Sequence, residues 1–290
     1  MLYALELAGA GATAHPRTLA ELARLAEVSG WDGVFLEDYI VHHSARGIPT
    51  TDPWVALAAM AASTSRVRLG TEVTPLSRRR PWKVAREVAT LDHLSDGRVI
   101  LGVGLGDTND PGYGQVGEVT ATRVRAELLD ESLEIIAGLW TGKPFSFSGR
   151  HYRVDEMTFL PRPLQTPRVP IWIGGGWPNP GVKKRAPRWD GVCAYIELGT
   201  FEGWEDQSPA YVAEVRALVE RERDSIDDYA IVTGGRARDD DWDRDREIIA
   251  GLDRAGATWW VEYVPADVDM AGPARGRGSR PPAARLRSMR

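Results

Sequence analysis

The chain has one cysteine, Cys193, among 290 residues, which rules out an intramolecular disulfide and any metal cage built on several thiolates. Cys193 lies in an apolar stretch, where a small core side chain is the expected role. No apolar run reaches the ~20 residues that span a bilayer. The N-terminus lacks a basic region, and Glu6 interrupts its short hydrophobic stretch, so a cytoplasmic chain with no membrane association is expected. Positive charge is also short: 36 Lys and Arg stand against 41 Asp and Glu, a net charge of -5. That removes a whole-molecule basic footprint for nucleic acid. Three catalytic signatures are missing as well. No Gly-x-Gly-x-x-Gly follows the first apolar segment, which weakens an open dinucleotide-binding sheet. No Gly-x-Ser-x-Gly supports a nucleophile elbow. A barrel metallohydrolase would want His-x-His on its first strand, where Leu5-Glu6-Leu7 stands, and no metal site is expected.

Two repeats organise what is present. Arg66-Val67-Arg68-Leu69-Gly70 returns as Arg98-Val99-Ile100-Leu101-Gly102, an interval of 32 residues that suits one strand, one helix and two loops. Trp31-Asp32-Gly33-Val34 returns as Trp189-Asp190-Gly191-Val192. Strands are expected at Leu2–Leu7, Gly33–Leu36, Val67–Val73, Val99–Gly104, Ile171–Ile173, Gly191–Cys193, Ala230–Val232 and Trp259–Val261, short and apolar as strands buried on both faces should be. Helical patterns separate many of them, at Thr18–Ser29, from Asp52 with Pro53 at its first position, Pro81–Leu94, Arg123–Leu139, Ser208–Arg223 and Asp243–Ala255. Eight strands alternating with helices close economically as a (β/α)8 barrel over residues 1–265. An insertion over about 107–160 carries an extended pair around Phe145-Ser146-Phe147 and His151-Tyr152-Arg153. Residues 266–290 form a basic, Pro/Gly/Ala-rich tail expected to be poorly ordered.

In such a barrel the chemistry lies where the strands end. The second strand ends in Glu37-Asp38-Tyr39 followed by His42-His43, the third in Thr71-Glu72-Val73, the fourth in Gly104-Leu105-Gly106-Asp107, and the fifth barrel strand in Gly174-Gly175-Gly176 with Trp177 behind. Two readings fit the triple glycine: close approach to a ligand phosphate, or a tight strand exit. Glu72 interrupts an apolar strand at its mouth end, where burial would raise its pKa toward a value useful for proton transfer. An ion pair with Arg78 or Arg79 is the structural alternative. Asp38 and Asp107 carry the same pair of readings. His42 and His43 read as a substrate-facing or solvated loop pair.

At these residues the chain resembles the luciferase-like flavin-dependent oxidoreductases, a family that includes flavin monooxygenases and enzymes of the deazaflavin coenzyme F420. Gly30 to Asp38, Thr64 to Thr71 and Ala89 to Arg98, with Gly102-Val103-Gly104 after it, carry the resemblance. Trp140-Thr141-Gly142, Pro161-Arg162-Pro163 and Ile171 to Gly176 extend it. The resemblance implies a ring cofactor in the barrel mouth beside Thr71, Glu72 and Val73, where a bulge with a cis non-proline peptide is expected. It further places Gly104 and Asp107 near the ring, and Gly174, Gly175 and Gly176 toward a phosphate. Tyr39 stands where many relatives have histidine, and Leu105 where luciferases have an arginine for the flavin phosphate. The latter departure favours F420 over FMN.

The expected activity is hydride transfer to or from a small organic substrate by a flavin or deazaflavin, with F420 slightly favoured and FMN the alternative. Tyr39, Glu72 and Asp38 are the expected catalytic residues, and His42, His43 and Trp177 the expected substrate contacts. A reduced-FMN monooxygenase supplied by a separate flavin reductase is the alternative, and a barrel that binds flavin without catalysis is another. Homodimers are common in the family, and apolar residues near Trp54 and Trp82 are compatible with one.

Overall fold

The structure, a computed structural model, describes residues 1–42, 47–196, 207–234 and 241–266. His43 and the basic tail beyond Ala266 therefore lie outside the described residues. The barrel strands are β1 (Leu2–Leu7), β2 (Gly33–Leu36), β3 (Arg68–Pro75), β4 (Val99–Gly104), β7 (Ile171–Trp177), β8 (Gly191–Ile196), β9 (Ala230–Gly234) and β10 (Trp259–Val264). All pair in parallel, and they close in the order β1-β10-β9-β8-β7-β4-β3-β2. Around them lie α1 (Pro16–Val28), α2 (Pro53–Ala62), α3 (Pro81–Leu94), α5 (Thr122–Trp140), α6 (Pro180–Arg185), α7 (Pro209–Glu222) and α8 (Trp242–Ala255). Between β4 and β7 stand the short α4 (Pro111–Gly114), then α5, then an antiparallel hairpin of β5 (Pro144–Ser148) and β6 (Arg153–Thr158).

Alternation along each strand divides the apolar residues into two cores. Outward-facing Leu5, Leu7, Val34, Leu36, Leu69, Ile171 and Ile173 pack with the helices. Inward-facing Ala4, Phe35, Ile100, Trp172, Cys193, Ala230, Val232, Trp259 and Val261 fill the barrel. Phe35, Trp172 and Trp259 lie against one another with ring centroids 5.2 to 6.0 Å apart. The barrel interior is thus packed as an aromatic floor beneath the strand ends.

The repeats close the opposite, N-terminal end of the barrel. Asp32 accepts from the Tyr3 amide at 3.0 Å, and its counterpart Asp190 accepts from the Ile171 amide at 2.9 Å. Each aspartate fastens its own strand to the preceding parallel strand. Arg98, nearly buried, donates to the carbonyls of Ser95, Val67, Ala61 and Thr64 and to the Thr64 hydroxyl. These bonds tie the start of β4 to the end of α2 and to the segment leading into β3.

Candidate active site

The third strand departs from regular pairing where the site begins. Its register against β4 shifts between Thr71 and Thr74, and the Glu72–Val73 peptide is cis, as the family resemblance implied. Such a bulge re-aims the side chains that follow it. Val73 consequently packs against the inner core, where a Cβ on Gly104 would lie 2.9 Å from Val73 Cγ2 and one on Gly174 2.7 Å from Val73 Cγ1. These glycines are required by the close approach of Val73. Gly175 instead faces α6, since its Cβ would meet Val182, and Gly176 is buried beside it.

Glu72 also enters the interior. Its Oε2 is sealed from solvent without a hydrogen-bond partner, and desolvation pushes the carboxyl up to about 8. The proposed alternative pairing with Arg78 or Arg79 does not occur. Both arginines turn to Asp38: Arg79 donates to Asp38 Oδ1 at 2.6 Å, and Arg78 bridges the Asp38 carbonyl to the Asp110 carboxylate. Thr74 donates to the second oxygen, Asp38 Oδ2, at 2.9 Å. The catalytic expectation for Asp38 is corrected by this geometry. Its oxygens are engaged by cations and a hydroxyl, and it positions the β2 exit.

Thr71 is corrected for a similar reason. Its buried hydroxyl donates to the Gly102 carbonyl at 3.1 Å and lies 2.9 Å from the Thr74 hydroxyl, joining β3 to β4 beneath the bulge. Trp177 points away from the mouth: its indole N–H donates to Glu214 on α7 at 3.1 Å and its ring meets Tyr211 edge-on. The parity of β7 explains this, because Trp172 is inside the barrel and Trp177 is an odd number of residues later. Trp177 is therefore part of the helix-facing core.

The other expected residues gather at the rim. Tyr39 is raised far above the usual phenol range by burial, then by the charges of Glu37, Tyr263, Glu6 and Asp107. His42 is buried, with its ring edge-on to Tyr39 at 5.5 Å, and its amide donates to Thr50 Oγ1. Asp107 Oδ1 accepts from the Asn109 amide at 2.9 Å, whereas Oδ2 is buried and unpartnered. Arg125 of α5 holds the same exit by donating to the Leu105 and Gly106 carbonyls.

Glu6 and Glu37 are functional candidates outside the expected set. Burial pushes Glu37 up to about 7, and its Oε2 is also buried without a partner. Glu6 is raised well above the carboxylate range by desolvation, then by Glu72 and Glu37. The signal that marks Glu72, an acid interrupting an apolar strand near its mouth end, applies equally to Glu6. Among the described residues no cluster suits a metal ion.

The orphaned carboxylate oxygens of Glu37, Glu72 and Asp107 suit a flat ring that carries N–H and hydroxyl donors. The fold and site define a barrel oxidoreductase architecture with its ligand space at the strand ends. The sequence profile of the luciferase-like monooxygenases matches residues 3–264, and the chain belongs to that family.

Two similar curated proteins are F420-dependent glucose-6-phosphate dehydrogenases. The one from Nakamurella multipartita is 40% identical over 167 residues, covering 56% of this chain and 48% of the relative. That from Nocardia farcinica is 36% identical over 217 residues, covering 73% and 62%. The chain thus spans about half to three-fifths of the relatives' length. Among solved structures, an F420-dependent secondary alcohol dehydrogenase in complex with an F420-acetone adduct aligns with a TM-score of 0.72 at 18% identity, covering 92% of this chain and 99% of that one. The monooxygenase RslO1 from Streptomyces bottropensis aligns with a TM-score of 0.66 at 24% identity, covering 88% and 77%. These structural likenesses establish the barrel fold. No helix among the described residues is long and apolar enough to cross a membrane.

Proposed function

We propose that the protein is an F420-dependent oxidoreductase that moves a hydride between the deazaflavin and a small organic alcohol or carbonyl compound. The observation that carries this reading is the mouth itself, where Val73 lies between two obligatory glycines and the buried Glu37, Glu72 and Asp107 oxygens await donors. The F420-dependent relatives support the cofactor choice. When bound, the deazaflavin supplies the hydride-accepting or hydride-donating carbon.

Val73, Gly104 and Gly174 would hold the ring, and Asp107 would accept a hydrogen bond at its edge. Tyr39 retains its phenolic proton across the physiological range and donates a hydrogen bond to the substrate oxygen. Glu72, poised near neutrality, takes the proton released when an alcohol is oxidised and returns it in the reverse direction. Gly175 and Gly176 would shape the path toward the cofactor's phosphate, and His42 and His43 would border the substrate. The protein would act in the cytoplasm as a homodimer, for which exposed Val55 and Trp82 offer apolar surface; Trp54 is buried within its own chain.

Mixing the protein with oxidised F420 and a panel of small alcohols tests the reading through bleaching of the cofactor. Bleaching matched by carbonyl product is expected. Substrate oxygenation with reduced FMN and a partner reductase, together with no F420 turnover, would establish the monooxygenase alternative instead.

A further inference from the structure

Three carboxyl groups converge inside the barrel from three neighbouring strands. Glu6 follows inward-facing Ala4 by two residues on β1, and Glu37 follows inward-facing Phe35 by two residues at the end of β2. Glu72 enters from the β3 bulge, and the pairing of Leu36 with Thr71 brings Glu37 and Glu72 to the same level. Among the described residues, none of the three forms an ion pair. The nearby guanidinium groups of Arg78 and Arg79 are held by Asp38 and Asp110.

We propose, on the basis of the oxidoreductase reading above, that Glu6, Glu37 and Glu72 form one proton-holding unit that exchanges the proton accompanying hydride transfer. The physical basis is mutual exclusion. Three like charges sharing a desolvated space cannot all ionise together, so ionising one retains protons on the others. One oxygen of Glu37 and one of Glu72 are sealed from solvent without a partner, which limits how far water relieves that repulsion.

The influence of each group follows this geometry. Glu72 and Glu37 both raise Glu6, while Glu6 and Glu72 both raise the buried Cys193 thiol on β8. Glu37 and Glu6 act on Tyr39 at the rim, together with Tyr263 from β10 and Asp107 after β4. The carboxyls therefore form a continuous electrostatic group from the barrel interior to the phenol beside the substrate position. In alcohol oxidation the substrate O–H bond breaks and its proton passes to the unit, Tyr39 relaying it by giving up one proton as it accepts another. The adjacent C–H bond breaks with its electron pair leaving as hydride to the deazaflavin, and a carbonyl forms. Carbonyl reduction reverses both transfers.

Carbon-13 NMR titration of side-chain-labelled glutamate tests the unit in the ligand-free, full-length protein, using wild type and Glu6→Gln, Glu37→Gln and Glu72→Gln. Wild type is expected to show Glu37 and Glu72 midpoints near neutrality, with Glu6 above them and broadened, coupled steps. Removing either Glu37 or Glu72 should lower the Glu6 midpoint by about one unit or more. In turnover, Glu37→Gln should shift the acidic limb of the pH profile downward together with the Glu72 midpoint, because Glu37 at about 7 ionises before Glu72 at about 8.

Glutamates that titrate as independent single steps, with unchanged midpoints in the variants, would overturn the proposal. So would a Glu37→Gln pH profile that matches wild type. Wild-type titration alone decides the coupling if a variant does not fold. Absence of F420 turnover with coupled glutamates would refute the oxidoreductase reading and the unit's redox role, whereas turnover with independent glutamates would refute the unit alone.

Discussion

Replacing Glu72 with glutamine should stabilise the protein, and more so as the pH rises. In the folded chain, burial pushes this carboxyl up to about 8 from an ordinary value of 4.5. Between those values the folded chain holds a proton that the unfolded chain has released, so the Glu72 contribution to stability falls as pH increases. The lost stabilisation is fully present below about 4.5 and gone above about 8. Each unit is worth ~1.4 kcal/mol, and allowing for water reaching the charged form leaves about 2 kcal/mol across the interval. For a chain of this size that corresponds to a Tm change of ~3 °C. Glutamine keeps the shape of the protonated acid and does not ionise. Thermal unfolding at about pH 5 and about pH 8.5 should therefore show the Glu72→Gln Tm within ~1 °C of wild type at the lower pH and ~3 °C above it at the higher. An equal difference at both values would refute burial as the cause.

The remaining predictions concern packing and partners. Asp38→Asn should cost about 3 kcal/mol, measured by denaturant unfolding, because Arg78 and Arg79 lose a buried counter-charge. Arg98→Ala should lower stability by about 3 kcal/mol in the same assay, since several loop carbonyls lose their donor. Trp177→Phe should cost ~1–2 kcal/mol through the lost bond to Glu214 while leaving F420 affinity within twofold of wild type. A large affinity loss in the latter variant would return Trp177 to the ligand site.

Much of the fold was legible because each barrel strand carries its own local signature. Buried β-branched residues mark β4, β8 and β9, while Pro53 and Pro81 stand at the observed starts of α2 and α3. The repeated Trp-Asp-Gly-Val segments reveal where β2 and β8 begin, and the structure adds the reason in the aspartate-to-amide bonds of Asp32 and Asp190. Site residues were legible only to the level of the strand end. Glu72 could be separated from Asp38 only after three-dimensional packing assigned Arg78 and Arg79 to the latter. Trp177 follows Gly174, Gly175 and Gly176 in sequence, yet strand alternation turns it outward. Thr74 and Arg125 act through contacts 36 and 20 residues away, to Asp38 and Leu105, so no local pattern identified their roles.

The most direct test of the central claim is a fluorescence-quenching titration with F420 and FMN, performed on wild type and Gly104→Val. The side chain added at position 104 would meet Val73, where a Cβ already lies 2.9 Å from Cγ2. Wild type should bind F420 at micromolar concentration or tighter and FMN more weakly, while the folded variant should lose at least ~10-fold in F420 affinity. Failure of wild type to bind F420, or undiminished binding by the folded variant, would contradict a deazaflavin site in the mouth beside Val73.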